Sequence, residues 1–358
     1  MPVGVSAAVS VPATANREPA VGGQCQCQRQ CQRQRQRQRR RGCQWWYDAL
    51  VLWPLSFRGR LRPEFPDVRS DVEEWCAEEG ISRPSDALIA DFYLPMTAWV
   101  ADHVEDATLV LGLNGAQGTG KSTLARLLQR LLERVHGLRA AILSLDDIYL
   151  SGAERLQRAN TIHPLLATRG VPGTHDVGLG IRVLRCLREA KPIALPRFDK
   201  AKDERHPVAQ RPPWEGRCDV VIFEGWCVGA RPQRADELEL PVNGLERLED
   251  PAGDWRWYVN RELGGHYQAL FAELDLLAML RPPDFERVYA WREEQEARLR
   301  AADGGPEVMT PSAVRRFVMH FERLTRFMWE EMPGRADAVV HLGEDHAPVH
   351  VDLGDERS

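Results

Sequence analysis

The sequence predicts an α/β fold: a three-layer α/β/α domain with a central parallel sheet. Residues 107–135 combine an apolar run, a glycine-rich loop and an amphipathic pattern, the order expected of a buried strand, a loop and a helix. Further short apolar runs recur along the chain, and two of them end in carboxylates, which is typical of parallel strands whose carboxyl ends face a ligand. The 358 residues allow two average domains or one large α/β domain with insertions.

The first strand and helix frame the glycine-rich loop. Residues 108–113 are apolar enough for a strand that is buried on both faces. Between residues 124 and 135 leucines recur at helical spacing, and Gly137 is a stop signal. The N-terminus of this helix is therefore expected to direct its partial positive charge at the loop.

The loop itself has the spacing GxxxxGK[ST], which lets backbone N–H groups surround a polyphosphate. We expect Lys121 to reach the terminal phosphates and Ser122 to bind Mg²⁺. The alternative is a glycine-rich turn that matches this spacing by chance, but such a turn would not need a strand before it and a helix after it. The residues expected to contact a nucleotide are Gly115, Ala116, Gln117, Gly118, Thr119, Gly120, Lys121, Ser122 and Thr123.

Composition and charge restrict the class of protein. The formal net charge is −5, although the first 44 residues contain eight arginines and one glutamate; the rest is acidic, and no specific nucleic-acid partner is expected. The eight cysteines show neither zinc-ligand spacing nor a secreted disulfide framework, which favours a reducing, cytoplasmic location. No apolar run approaches the roughly 20 residues of a membrane span, so no membrane partner is expected.

The N-terminal leader, residues 1–44, ends in a tract of glutamine, arginine and cysteine. Low complexity and repeated like charges predict disorder. An organelle transit peptide and a wrongly chosen start codon are alternatives, although the leader lacks the amphipathic periodicity of a transit peptide.

Residues 45–105 have an apolar, helical pattern without a catalytic constellation and are expected to cover the core. Ser85 is a predicted helix cap. Pro95 is predicted to break that helix, because proline lacks the backbone N–H donor.

Two adjacent carboxylates, Asp146 and Asp147, follow the predicted strand 140–145. The carboxyl ends of parallel strands lie at the ligand edge of a sheet, so both acids are expected to face the phosphate loop. Phosphoryl transfer to an alcohol needs a group that accepts the hydroxyl proton, and a carboxylate at this strand end suits that role. The alternative is that the pair caps the next helix.

Two polar loops are the candidate acceptor side of the site. Residues 161–176 are too rich in turn formers for a helix, and residues 195–205 form a charged loop. Arginine can hold a small carboxylate bidentately, and an aspartate can accept hydrogen bonds from hydroxyls. Ion pairs within solvated surface loops are the alternative. The candidate acceptor-binding residues are Asp147, Tyr149, Arg169, His175, Asp176, Arg197, Asp199 and Lys200.

The remaining candidates lie in the C-terminal half. Glu224 ends another apolar strand and is expected to orient either the acceptor or, with Ser122, the water shell of Mg²⁺. Residues 228–272 form a substrate-side insertion. Arg292, Arg298 and Arg300, on a charged helix, are the candidates to close over the phosphates, although a solvated helix with Glu294–Arg298 pairing is the alternative. The core domain is predicted to span 106–345, with an unstructured tail at 346–358.

Together these segments resemble the D-glycerate 3-kinase family of bacteria and plants. The blocks that carry the resemblance occur in the family's order between about residues 91 and 342. They are GAQGTGKST, SLDDIYL, HPLLATRGVPGTHD, LPRFDKAKDER, FEGWCVGARPQ, PVNGLERLED and YAWREEQE. The leader has no counterpart in the family pattern.

The resemblance implies a P-loop NTPase fold, related to uridine kinase, phosphoribulokinase and type I pantothenate kinase. It implies transfer of the γ-phosphoryl group from ATP, with Mg²⁺, to a hydroxyl of D-glycerate, a small hydroxy acid. Asp146 matches the catalytic base and Arg292 the lid arginine; Lys121 neutralises phosphate charge. Another alcohol or sugar acid, or a nucleotide-binding regulatory ATPase, remains an alternative, and the protein is expected to be a monomer or a homodimer.

Overall fold

The computed structural model describes residues 52–53, 68–81, 83–301 and 309–354. The predicted disordered leader, residues 1–44, lies outside this part of the chain. The helices are α1 (Arg69–Glu78), α2 (Asp86–Leu88), α3 (Leu94–Asp102), α4 (Lys121–Leu131), α5 (Gly152–Thr161), α6 (Val177–Arg188), α7 (Gly244–Glu249), α8 (Asp254–Gly264), α9 (His266–Phe271), α10 (Phe285–Ala301) and α11 (Pro311–Glu331). The strands are β1 (Leu109–Gly115), β2 (Ala140–Ser144), β3 (Ile193–Ala194), β4 (Phe198–Asp199), β5 (Glu204–Arg205), β6 (Pro213–Trp214), β7 (Val220–Gly225), β8 (Leu276–Arg281), β9 (Ala338–Leu342) and β10 (Pro348–Leu353).

The main sheet has the order β10-β9-β8-β1-β7-β2. Within it, strands β9, β8, β1, β7 and β2 pair in parallel. Strand β1 is central: Leu111 lies opposite Ile222 of β7 and Leu276 of β8. Every residue of β1 is buried, as expected for a parallel strand covered on both faces. The predicted parallel sheet is confirmed.

Side chains alternate along β1 and enter two separate hydrophobic cores. Val110 belongs to one core, together with residues of α6, α9 and α11. Leu111 and Leu113 belong to the other, together with residues of α3 and α4. Helices therefore cover both faces of the sheet, which confirms the three-layer α/β/α architecture.

Helix α4 follows the glycine-rich loop as predicted. Its apolar face is buried through Leu124, Leu127 and Leu128, and a π-helical turn, Leu132–His136, extends it. Gly137 then adopts φ +66°, a left-handed conformation that glycine accepts at little cost. The predicted stop at this glycine is confirmed.

The predicted break at Pro95 is wrong, whereas the predicted cap at Ser85 is confirmed. The Ser85 side chain accepts a hydrogen bond from the backbone N–H of Leu88. The chain then stays helical through a π-helical turn, Ile89–Tyr93, directly into α3. Pro95 lies in the first turn of α3, where the missing N–H donor costs little.

The predicted unstructured tail is also wrong. Strand β10 pairs antiparallel with β9, and the backbone N–H of Val351 donates to the carbonyl of Leu52 at 2.9 Å. Val351 is fully buried between exposed or half-buried neighbours, so one side chain anchors the strand. β10 closes this edge of the sheet, which would otherwise present unpaired backbone groups.

The insertion predicted at residues 228–272 contains helices α7, α8 and α9. Two buried ion pairs fasten it, Arg256–Asp250 within the insertion and Arg323–Glu246 to helix α11. In the described ranges, no helix is long and apolar enough to cross a membrane.

Candidate active site

The glycine-rich loop joins the end of β1 to the start of α4. Gly118 and Gly120 have φ values of +81° and +80°, which L side chains rarely adopt. A Cβ atom at Gly115 would lie 2.7 Å from Oγ1 of Thr119, so this position also requires glycine. Among the described residues, no side chain caps the N-terminus of α4, which leaves its first N–H groups available for an anion.

Behind the loop, Glu224 at the end of β7 joins two serines. Its Oε1 atom accepts hydrogen bonds from Ser122 Oγ at 3.0 Å and Ser144 Oγ at 2.8 Å. Glu224 is 4% exposed, yet its Oε2 atom has no hydrogen-bond partner among the described residues. An orphaned, buried carboxylate oxygen beside a loop serine fits Mg²⁺, which prefers oxygen ligands and retains much of its water shell.

Asp146 follows β2 in a 3₁₀ turn, Leu145–Ile148, and both of its carboxylate oxygens accept hydrogen bonds. The Tyr149 hydroxyl donates to Oδ1 at 2.7 Å, and the Lys200 ammonium donates to Oδ2 at 2.6 Å. Burial raises the pKa of Asp146, but the ammonium groups of Lys200 and Lys121 outweigh that effect and lower the pKa from 3.8 to about 2. Asp146 is therefore ionised at neutral pH and faces the phosphate loop.

Asp147 has a different set of partners. Its carboxylate accepts hydrogen bonds from Arg197 Nη1 at 2.9 Å and from the backbone N–H of Phe198 at 3.2 Å. Burial raises the pKa of Asp147, and Arg197 opposes the rise. This aspartate fixes the loop that carries Arg197 and Lys200. Neither acid caps a helix; Ser144 accepts the hydrogen bond from the Asp146 N–H.

His175 is buried against Tyr149. Their rings stack with centroids 4.7 Å apart, and His175 Nδ1 lies 2.6 Å from the hydroxyl of Tyr267. Burial lowers the pKa of His175 from 6.5 to about 3, so the imidazole is neutral at pH 7. The sequence offers no signal for Tyr267, which reaches His175 from helix α9.

Three other predicted acceptor residues contact residues of the two polar loops or of the helix that follows the first loop. Arg169 Nη1 donates to Asp203 Oδ1 at 2.8 Å. Asp176 Oδ1 caps α6 by accepting from the N–H of Leu179, and its Oδ2 accepts from Arg205 at 2.6 Å. Asp199 Oδ1 accepts from the backbone N–H groups of Ala201 and Lys202. These contacts match the alternative of ion pairs within surface loops, whereas Lys200 and Arg197 pair directly with Asp146 and Asp147.

Arg292 lies directly beside the phosphate loop. Its backbone nitrogen is 3.6 Å from the position of a Cβ at Gly118. Its guanidinium pairs with Glu296, donates to Gln295 at 2.7 Å and has a buried Nε atom with no partner among the described residues. Burial lowers the pKa of Arg292. The Glu294–Arg298 pair predicted for the exposed face is also present, at 4.0 Å.

The fold and this site define a P-loop kinase: a parallel sheet, a phosphate loop with its lysine and serine, and a strand-end glutamate beside them. No family model matches the chain.

Comparison with known proteins agrees with this class. The chain is 28% identical over 293 residues to the chloroplastic D-glycerate 3-kinase of Arabidopsis thaliana, covering 74% of this chain and 62% of that protein. It is 34% identical to the uncharacterized kinase mug58 of Schizosaccharomyces pombe, covering 61% of this chain and 79% of that protein. The solved structure of a D-glycerate 3-kinase from Cryptococcus neoformans superposes with a TM-score of 0.61 at 28% identity, covering 73% of this chain and 96% of that one. The chain belongs to the D-glycerate 3-kinase family of P-loop kinases.

Proposed function

We propose that this protein transfers the γ-phosphoryl group of MgATP to a hydroxyl of D-glycerate and forms 3-phosphoglycerate. The observation that carries the proposal is the position of Asp146 between Tyr149 and Lys200, with Lys121 of the phosphate loop close enough to lower its pKa. Two relatives named D-glycerate 3-kinase support this choice of acceptor.

The donor half of the site binds the polyphosphate. The N–H groups of the loop and of the first turn of α4 receive phosphate oxygens, and Lys121 neutralises charge on the β- and γ-phosphates. Ser122 and Glu224 would hold Mg²⁺, which would supply neutralisation of the phosphate charge. Arg292 stabilises the equatorial oxygens of the transferred group.

The acceptor half provides a base. The hydroxyl oxygen of the acceptor forms a bond to the γ-phosphorus while the bond from that phosphorus to the bridging oxygen breaks, and ADP leaves with the electron pair. The hydroxyl proton passes to Asp146. Tyr149 keeps the carboxylate oriented by its hydrogen bond to Oδ1.

Lys200 and Arg197 receive the acceptor's carboxylate. The Lys200 side chain is 58% exposed, and its acid partner among the described residues is Asp146, so an incoming carboxylate can compete for its ammonium group. Such an exchange frees Oδ2 of Asp146 and raises the pKa of the base at the moment when the hydroxyl is in place. A neutral alcohol offers no comparable exchange.

A coupled ADP-release assay with D-glycerate, pantothenate, uridine and no acceptor tests the proposal. We expect D-glycerate to stimulate turnover most. Asp146→Asn should lower kcat by about 100-fold or more, Lys121→Ala should abolish turnover, and Glu294→Gln, on the exposed face of α10, should change little. A kcat of Asp146→Asn within about threefold of wild type contradicts its role as the base. Preference for another acceptor, or turnover that no acceptor stimulates, overturns the choice of glycerate.

A further inference from the structure

The turn between β9 and β10 contacts the phosphate loop. His346, in this turn, has its Nδ1 atom 3.0 Å from the carbonyl oxygen of Gly118. A carbonyl oxygen only accepts hydrogen bonds, so Nδ1 carries the proton and donates it. The contact joins residues 228 positions apart, and it comes from the segment where the sequence predicts an unstructured tail.

Trp291 of helix α10 completes the contact. Its ring stacks on His346 with centroids 4.2 Å apart and an interplanar angle of 25°. Its Nε1 atom donates to the carbonyl of Glu344 at 3.1 Å, and Trp291 is 3% exposed. A Cβ at Gly118 would lie 2.8 Å from Cβ of Trp291, so the loop, the tryptophan and the turn are in close packing.

The backbone at His346 is unusual. Its φ is +67°, a left-handed conformation that costs a non-glycine residue about 1 kcal/mol. The turn is held by hydrogen bonds from the N–H of His346 to the carbonyl of Gly343 and from the N–H of Gly343 to the carbonyl of Ala347. This conformation directs the imidazole at the phosphate loop.

The contact fixes one peptide unit of the loop at both ends. The peptide between Gly118 and Thr119 is planar; its carbonyl accepts from His346, and its N–H donates to the carbonyl of Ala116 at 3.3 Å. The rotation of this plane sets the left-handed conformation of Gly118, and with it the curvature of the loop. A loop that is already ordered loses less conformational freedom when a ligand binds.

We propose that His346 is a positioning residue of the nucleotide site, which holds the phosphate loop in its binding conformation through the carbonyl of Gly118. The residue touches neither reacting atoms nor acceptor. Its role concerns the donor half alone. It goes beyond the proposed function, because it does not depend on which alcohol is phosphorylated.

The test is calorimetric titration of the full-length protein with MgADP. His346→Gly removes the donor and accepts a φ of +67° without strain; we expect MgADP affinity to fall by about three- to tenfold, the value of one net hydrogen bond. His346→Asn should restore most of the affinity, since its amide nitrogen occupies the place of Nδ1 and asparagine tolerates this backbone. His346→Asp has the same shape but no donor and should not restore it.

A matched control is His350→Ala. His350 is in the same hairpin, is exposed and contacts Asp352 at 2.8 Å, so its loss should leave MgADP affinity unchanged. Equal affinity in wild type and His346→Gly overturns the proposal. So does an asparagine variant that binds as weakly as the glycine variant while melting at the wild-type temperature. Because MgADP binding involves no acceptor, failure here is separate from failure of the glycerate assignment.

Discussion

The Nζ atom of Lys200 lies 2.6 Å from Oδ2 of Asp146. The lysine comes from the charged loop at residues 195–205, and the aspartate follows β2. The ion pair places a positive charge next to the carboxylate that we propose as the base, and this charge keeps the carboxylate ionised. Lys200 thereby links the proposed acceptor side of the site to the protonation of Asp146.

Replacing Lys200 should change the pH dependence of turnover. In Lys200→Met, burial still raises the pKa of Asp146 while the strongest opposing charge is gone. The acidic limb of the kcat/KM profile should therefore move to higher pH. Because the folded-state pKa of Asp146 lies below 3.8, the stability from this pair is present above pH about 4 and is lost as the pH falls towards 2.

The control for this profile is Lys202→Met in the same loop. Lys202 is 80% exposed and pairs with Asp199 at 3.3 Å, away from the base. Its profile should coincide with that of the wild type. Coinciding acidic limbs in Lys200→Met and wild type would show that the ion pair does not control the base.

Glu224→Gln tests the magnesium assignment. Glutamine retains an oxygen that can accept from Ser122 and Ser144, so stability should change little. It removes the negative charge of the orphaned Oε2 atom, and the half-saturating concentration of free Mg²⁺ should rise by about 10- to 100-fold. Titration of activity with MgCl₂ measures this shift.

Ser144→Ala is the comparison for Glu224→Gln. It removes one hydrogen bond to Oε1 but keeps the carboxylate charge, so its Mg²⁺ requirement should shift much less. An unchanged requirement in Glu224→Gln would argue against a role for this carboxylate at the ion.

Arg323 and Glu246 form a bidentate pair with distances of 2.7 and 2.6 Å. Their side chains are 9% and 0% exposed. Glu246→Leu leaves an unpaired buried guanidinium and should lower the free energy of unfolding by about 3–5 kcal/mol. Adding Arg323→Met should recover much of that loss, as measured by urea denaturation. A double variant no more stable than Glu246→Leu would show that packing, and not the unpaired charge, dominates.

Local chemistry accounts for what could be predicted from the sequence. The phosphate loop, the strand that precedes it, the Ser85 cap and the Gly137 stop all depend on neighbours within a few residues. Glu224 could be placed beside the loop because parallel strands end at a common edge.

Contacts between distant segments account for the features that could not be predicted from the sequence. Tyr267 reaches His175 across 92 residues, and no spacing in the sequence indicates which helix covers the acceptor side. The prediction of a break at Pro95 rests on the general tendency of proline to end helices. The π-helical turn before Pro95 instead places this residue in the first turn of α3, where proline is tolerated. Strand β10 has one fully buried anchor, Val351, which is too little for a periodic signal.

The bond from His346 to Gly118 also orders events during synthesis. Gly118 is synthesised first, and His346 is added 228 residues later. At ~5–20 residues per second this interval is roughly 10 to 50 seconds. During that interval the phosphate loop lacks its hydrogen bond from His346. A chain that terminates before this turn would retain every residue of the GxxxxGK[ST] motif and still bind nucleotide weakly.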